Sequence, residues 1–428
     1  MKARFRALYH SVSLRHSLIM WVAMVLAGGL DYAVNILAGR WLQPVQFGIF
    51  VGVAAILQLL ANLPATIRSV VAFYTVSLSV ESDSLKQIGA FVQRAWRWAW
   101  QLGLVATGSL VLLSPFLARL LRFPNPWPLW AAAPMLVVFF ARPVTDGALQ
   151  GLQVFVRLGS VPLTQSVLRL FFAAGLIWMG GQAVGAIAAL PLAAFIALSL
   201  ARWWLRPYFR VRGGVVARQV SLHYSSLALL GVLSFAALAN FDALFVKHFF
   251  SPRVAGNYAT VVTLAKISLF LPMAIGVILF PKAKLRKATG RDARPILLLA
   301  LAGALAPGLA LSTFYFLFPG WLVKTMFTAA YANPGVVLAL ASLAATLNAG
   351  LSIWLNYALA LERPPFIYAL LGVLGWQASG MLLFGRASLV HMTMVMVSAG
   401  MMGNVAGFIT TWYSERTTGR VQAELAEL

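Results

Sequence analysis

Four basic side chains, Arg68, Arg142, Arg169 and Lys266, stand inside long apolar runs of this sequence, and three carboxylates, Asp31, Asp146 and Asp242, are placed in the same way. Their types limit the chemistry. A guanidinium grips a phosphate through two parallel hydrogen bonds, an ammonium acts as a point charge, and a carboxylate withdrawn from water holds a proton or small cation near neutral pH. The set suits capture of an anion, with Asp31, Asp146 and Asp242 as candidates for coupling to a proton or sodium. Covalent chemistry is not indicated. Acids number ten in the whole chain, and no paired Asp or Glu constellation sits on a sizeable outer loop, where a sugar-chain polymerase or ligase would keep its general base or metal ligands. Cysteine is absent, which excludes disulfides and thiolate metal sites. His223, His248 and His391 are too scattered for a metal centre and suit interfacial anchoring. No enzyme activity, cofactor or metal is expected.

The surroundings of these residues are those of a bilayer. Over 428 residues the chain is 61% hydrophobic and 10% charged, with a mean hydropathy of +0.85, outside the range of a soluble domain with one packed core. Apolar runs of about 20 residues or more, the length that crosses a hydrocarbon core, recur. They cover residues 17–38, 48–78, 88–117, 127–149, 159–179, 182–203, 223–247, 254–280, 294–318, 333–360, 365–385 and 388–413. The expectation is an all-α polytopic membrane protein of about twelve transmembrane helices. The runs lack the ten-residue alternation of a β-barrel. The basic N-terminus leads into an apolar run too long for a signal-peptide core and without a small-residue cleavage pattern, so it is expected to stay attached.

A net charge of +23 raises the question of nucleic acid, and the placement of the charges answers it. With the N-terminus inside, loops on that side collect twenty-two Lys and Arg residues against seven on the other. That asymmetry puts both termini in the cytoplasm and makes anionic lipid heads natural partners. No loop is long enough to build a basic folded face, so no nucleic acid is expected. The four residues left over are the intramembrane cations named at the outset.

At about 1.5 Å rise per residue, Arg169 and Lys266 lie roughly 15–17 Å into their helices, near the midplane, with Arg142 a little past it and Arg68 near the inner end. Lipid does not solvate such groups, so each must face the bundle interior, a partner or a watery cavity. Plainer readings stand beside this one. Arg142 and Asp146, spaced i, i+4, would neutralise each other, and Asp242, toward the outer rim, would be an interfacial carboxylate capturing Lys247 or water. Asp31, with Asn35 one turn later, better suits a buried proton or cation site. Gln150, Gln153, Gln165 and Asn356 would hydrogen-bond sugar hydroxyls or tie helices together.

The sequence also repeats itself. "PVQFGIFVGVAAILQLLANLPATI" from Pro44 aligns without a gap on "PRVAGNYATVVTLAKISLFLPMAI" from Pro252, at a constant offset of 208 residues. Pro44 meets Pro252, Gly48 meets Gly256, Phe50 meets Tyr258, and Pro64 meets Pro272. An even number of helices separates the copies, so both halves enter the membrane from the same side, related by an axis along its normal. Two six-helix lobes are expected, residues 1–210 and 211–428, enclosing a cavity that rocking exposes to each side in turn. Pro64 and Pro272, inside their helices, would kink them, and Gly48 and Gly256 would take part in gating.

"LQPVQFGIF", "GALQGLQVF", "FDALFVKHFFSPRVAGNYA" and "FLPMAIGVILFPKAK", in this order, resemble the polysaccharide-transporter branch of the multidrug/oligosaccharidyl-lipid/polysaccharide (MOP) flippase superfamily. The resemblance spans about Leu18 to Lys284. It implies a MATE-like fold and movement of an undecaprenyl-pyrophosphate-linked sugar from the inner to the outer leaflet of the bacterial inner membrane. It also implies a polysaccharide polymerase and glycosyltransferases as partners. Arg68, Arg142, Arg169 and Lys266 would then receive the anionic headgroup. A proton- or sodium-coupled multidrug extruder of the same build is the alternative, with Asp31 as its ion site.

Overall fold

In a computed structural model, the protein is described over residues 22–23, 25–62, 64–79, 84–211, 222–269, 294–360 and 365–426. It divides into two compact units, Met1–Ser221 and Leu222–Leu428. The described residues of the first unit fold as α1 (residues 25–41), α2 (Pro44–Leu60), α3 (Ala65–Leu78), α4 (Ser84–Leu120), α5 (Trp127–Ala132), α6 (Met135–Gly151), α7 (Phe155–Leu176), α8 (Gln182–Trp204) and α9 (Arg206–Arg210). Those of the second fold as α10 (Leu222–Phe249), α11 (residues 252–269), α12 (Arg294–Leu317), α13 (Pro319–Met326), α14 (Val336–Ala360), α15 (Pro365–Gly380) and α16 (Leu389–Ala426).

Over the described residues, each apolar run read from the sequence falls on one of these helices or a consecutive pair of them; the start of the run 17–38 and the end of the run 254–280 lie outside the described residues. Among the described residues, eight helical stretches are long and apolar enough to cross a membrane, and one of them, Phe155–Trp204, holds both α7 and α8. The chain is an all-α, multi-pass membrane protein. The turn between α7 and α8 is made at Gly180, whose φ of 87° is open to glycine at no steric cost.

Small residues set how closely the helices of the first unit approach. On α6, Gly147 faces the Arg68 carbonyl and Val71, and Gly151 faces Ala72 and Thr75, all on α3; a Cβ at Gly147 would stand 2.6 Å from that carbonyl. The Gly147-to-Gly151 spacing is the small-xxx-small pattern that lets helix backbones meet. It brings α3, from Arg68 to Thr75, against the C-terminal end of α6.

The repeat has a structural counterpart. Pro44 opens α2 and Pro252 opens α11, the first-turn position where a missing N–H is harmless. Gly48 and Gly256 are buried inside these helices. Pro64 does more than kink its helix. The chain leaves α2 at Leu60 and re-enters helix at Ala65, with Pro64 as the flanking residue (φ −89°, ψ 11°). A proline has no N–H to continue the ladder, and Asn62 instead turns its side-chain amide back to the Gln58 carbonyl at 2.6 Å. Pro272, the basic N-terminus and the basic loop at residues 282–291 lie outside the described residues.

Candidate functional site

Three of the four intramembrane cations converge. Arg68 from the first turn of α3, Arg142 from α6 and Arg169 from α7 line one cavity of about 510 Å³ within the first unit. Asp146, Gln58 and Gln165 share its wall with an apolar side that includes Phe50, Phe139 and Leu190. Pro143 also lines it; sitting inside α6, it leaves the carbonyl of Phe139, four residues earlier, without its helical donor.

The cations differ in how they are held. The Arg142 Nε stands 3.3 Å from Asp146 Oδ2, so the plainer reading of that i, i+4 pair holds, and Arg142 also donates through Nη1 to Gln165 Oε1. Arg169 donates through Nη1 to Asp31 Oδ1 at 2.9 Å, across 138 residues of sequence. Arg68 donates through Nε to Gln150 Oε1 at 3.0 Å. Among the described residues no carboxylate meets it, and its two terminal nitrogens carry no protein acceptor. Arg68 is therefore the cation with the most unused donor capacity in the cavity. Three guanidinium groups against two carboxylates leave the site positive by about one charge.

Asp31 does not sit as a deeply buried acid. Its side chain is 40% exposed and engaged by Arg169, which makes it the counter-ion of a cavity arginine. Asp146 Oδ1, by contrast, is buried with no hydrogen-bond partner. Two of the glutamines proposed for sugar hydroxyls, Gln150 and Gln165, instead hold Arg68 and Arg142 in place. Asn356 turns its amide back to the Ser352 carbonyl of its own helix. Gln153 stands in the turn after α6 with a φ of 58°.

Lys266 and Asp242 belong to the second unit. Asp242 is 5% exposed and accepts a hydrogen bond from the Tyr258 hydroxyl at 2.8 Å, so its side chain is buried within the protein. Lys266 donates to Asn240 Oδ1 at 2.9 Å and interacts electrostatically with Asp242. Together Asn240 and Asp242 on α10 and Tyr258 and Lys266 on α11 form a polar cluster. Residues whose part was not anticipated from sequence are Gln58, Phe139 and Pro143. One signal for Gln58 was available, because the 208-residue offset of the repeat pairs it with Lys266.

No family model matches the chain, and no curated protein does. Solved structures do. The inward-facing conformation of a multidrug resistance MATE family transporter of the MOP superfamily superposes with a TM-score of 0.69 at 13% identity, over 90% of this chain and 96% of that one. The inward closed conformation of the lipid II flippase MurJ gives 0.68 at 10% identity, over 92% and 87%. The MATE multidrug transporter DinF-BH in complex with R6G gives 0.63 at 12%, over 94% of each chain. At such identities the likeness establishes the fold. The protein has the MATE-like architecture expected from its sequence, shared by drug extruders and a lipid-linked flippase alike.

Proposed function

We propose that this chain is a MOP-type transporter that moves a polyprenyl-pyrophosphate-linked oligosaccharide from the inner to the outer leaflet of a bacterial inner membrane. The observation that carries this is the meeting of Arg68, Arg142 and Arg169 in one cavity whose net charge is positive. A pyrophosphate is multiply anionic and matches the paired donors of guanidinium groups. A volume near 510 Å³ is that of a small-molecule site, suited to the phosphates and the first sugar. The apolar wall suits the start of a prenyl chain, the rest of which stays in lipid. Alternating exposure of the cavity to the two faces moves the headgroup across. A polymerase and glycosyltransferases then supply and consume the cargo as partners.

The test is translocation of a fluorescent lipid-linked sugar in proteoliposomes. Arg169→Ala and Lys266→Ala are expected to reduce it while the protein stays inserted; unchanged transport in both would remove the cationic mechanism. One feature favours the extruder reading, namely the unpartnered Oδ1 of Asp146 at the cavity wall, which would meet a cationic drug. The two readings demand opposite responses to neutralising Asp146.

A further inference from the structure

A second cationic site lies outside the cavity, at the end of the first unit where α4 begins and α8 ends. Here α9 is fastened along α4. Gln93 on α4 donates its amide to the carbonyls of Tyr208 (2.9 Å) and Val211 (2.8 Å), and Gly89 lets the Tyr208 carbonyl approach, since a Cβ there would stand 2.7 Å away. That docking sets Phe209 edge-on to Trp96, with ring centroids 5.5 Å apart.

The guanidinium of Arg202, from the last turn of α8, lies 5.3 Å from both rings. Arg206 lies 5.1 Å from the ring of Trp203, and Arg157 5.9 Å from that of Trp204. All three arginines are exposed. Ring contacts fix a guanidinium through its face and leave its N–H edge free. Among the described residues, no protein acceptor takes a side-chain hydrogen bond from Arg157, Arg202 or Arg206, and no carboxylate pairs with them. Between Leu85 and Phe241 the sequence contains a single acid, Asp146, and it is buried in the cavity wall. The arginines therefore carry oriented, uncompensated charge. Trp203, whose ring meets Arg206, is itself more than half exposed, and tryptophan is the residue type that marks the level of lipid headgroups.

We infer that the platform formed by Arg157, Arg202 and Arg206 on the rings of Trp96, Phe209, Trp203 and Trp204 is a binding site for the phosphodiester of an anionic phospholipid. This site is independent of what the cavity carries. A cation near an anionic bilayer surface contributes enough that two together are worth roughly thirtyfold in binding.

The test uses the full-length protein in detergent, with thermal stability and retained lipid by native mass spectrometry as readouts. Phosphatidylglycerol is expected to stabilise the protein and to remain bound, and phosphatidylcholine is expected to do neither. Arg202→Gln combined with Arg206→Gln should weaken phosphatidylglycerol retention about thirtyfold. Arg206→Gln alone, a surface change, should weaken it less and still fold. Arg119→Gln, which removes an exposed charge from the other end of α4, should leave retention unchanged. Equal stabilisation by the two lipids, or equal loss in the Arg119 variant, overturns the assignment. Inorganic phosphate matching phosphatidylglycerol in stabilisation also overturns it, in favour of a simple anion site.

Discussion

Neutralising Arg68 and neutralising Asp146 should move anion affinity in opposite directions, and by amounts the cavity geometry sets. Arg68 spends one N–H on Gln150 and has its terminal nitrogens left for a ligand, so Arg68→Gln removes charge-assisted hydrogen bonds each worth about 1.5–3 kcal/mol. A pyrophosphate probe should then bind ten- to a hundredfold more weakly. Asp146→Asn does the reverse. It releases Arg142, now 3.3 Å from the carboxylate, and removes a negative charge from the wall. At a separation of about 6–8 Å and an effective dielectric of 20–40, one unit charge shifts a phosphate's energy by about 1–3 kcal/mol. Binding should tighten roughly tenfold.

The assay is calorimetric titration of farnesyl pyrophosphate into each purified variant, with a cationic dye titrated in parallel. If Asp146→Asn weakens the pyrophosphate and Arg68→Gln leaves it unaltered, the cavity is not an anion site. If the dye binds the wild type and loses affinity in Asp146→Asn, the extruder reading gains.

Gly147→Ala should destabilise by about 1–3 kcal/mol, because its Cβ would stand 2.6 Å from the Arg68 carbonyl and 2.8 Å from Val71 Cβ; it should also weaken pyrophosphate binding by displacing Arg68. Gly108→Ala, with nothing within 4 Å, should not lower the melting temperature. In the second unit, Lys266→Met would leave the buried Asp242 carboxylate without its neighbouring cation, at a cost of about 3 kcal/mol or more. Asp242→Asn added to Lys266→Met should recover most of that loss in a thermal melt, and a double variant no more stable than the single one would show that the two charges are not coupled.

The spans were legible because burial in lipid demands unbroken apolar length, a one-dimensional property. So was the Arg142–Asp146 pair, since i, i+4 neighbours meet on any helix. The pairing of Arg169 with Asp31 was not, because 138 residues separate them and only the tertiary fold brings them together. Asp31 accordingly read as a lone buried acid. The effect of Pro64 was underestimated for a related reason. A proline in an apolar run predicts a lost hydrogen bond, but whether the chain bends or stops depends on the local backbone; here α2 ends at Leu60 and Asn62 turns its side-chain amide back to the Gln58 carbonyl before helix resumes at Ala65. The ring platform under Arg202 depends on α9, five residues long, too short for periodicity to announce.

The two copies of the repeated segment carry two different interiors. Phe50 and Gln58 of the first copy line the cavity. Their counterparts at the 208-residue offset, Tyr258 and Lys266, gain a hydroxyl and an ammonium. Tyr258 donates to Asp242 and Lys266 donates to Asn240, so the added polar atoms are satisfied by α10, within the protein. A donor committed to a buried partner has less to offer a passing anion than one that faces open space, since only the latter gains hydrogen bonds without breaking any. The terminal nitrogens of Arg68 are of the second kind. If the proposed function holds, recognition of an anionic headgroup would be weighted toward the first unit, with Lys266 contributing mainly through the polar cluster it completes.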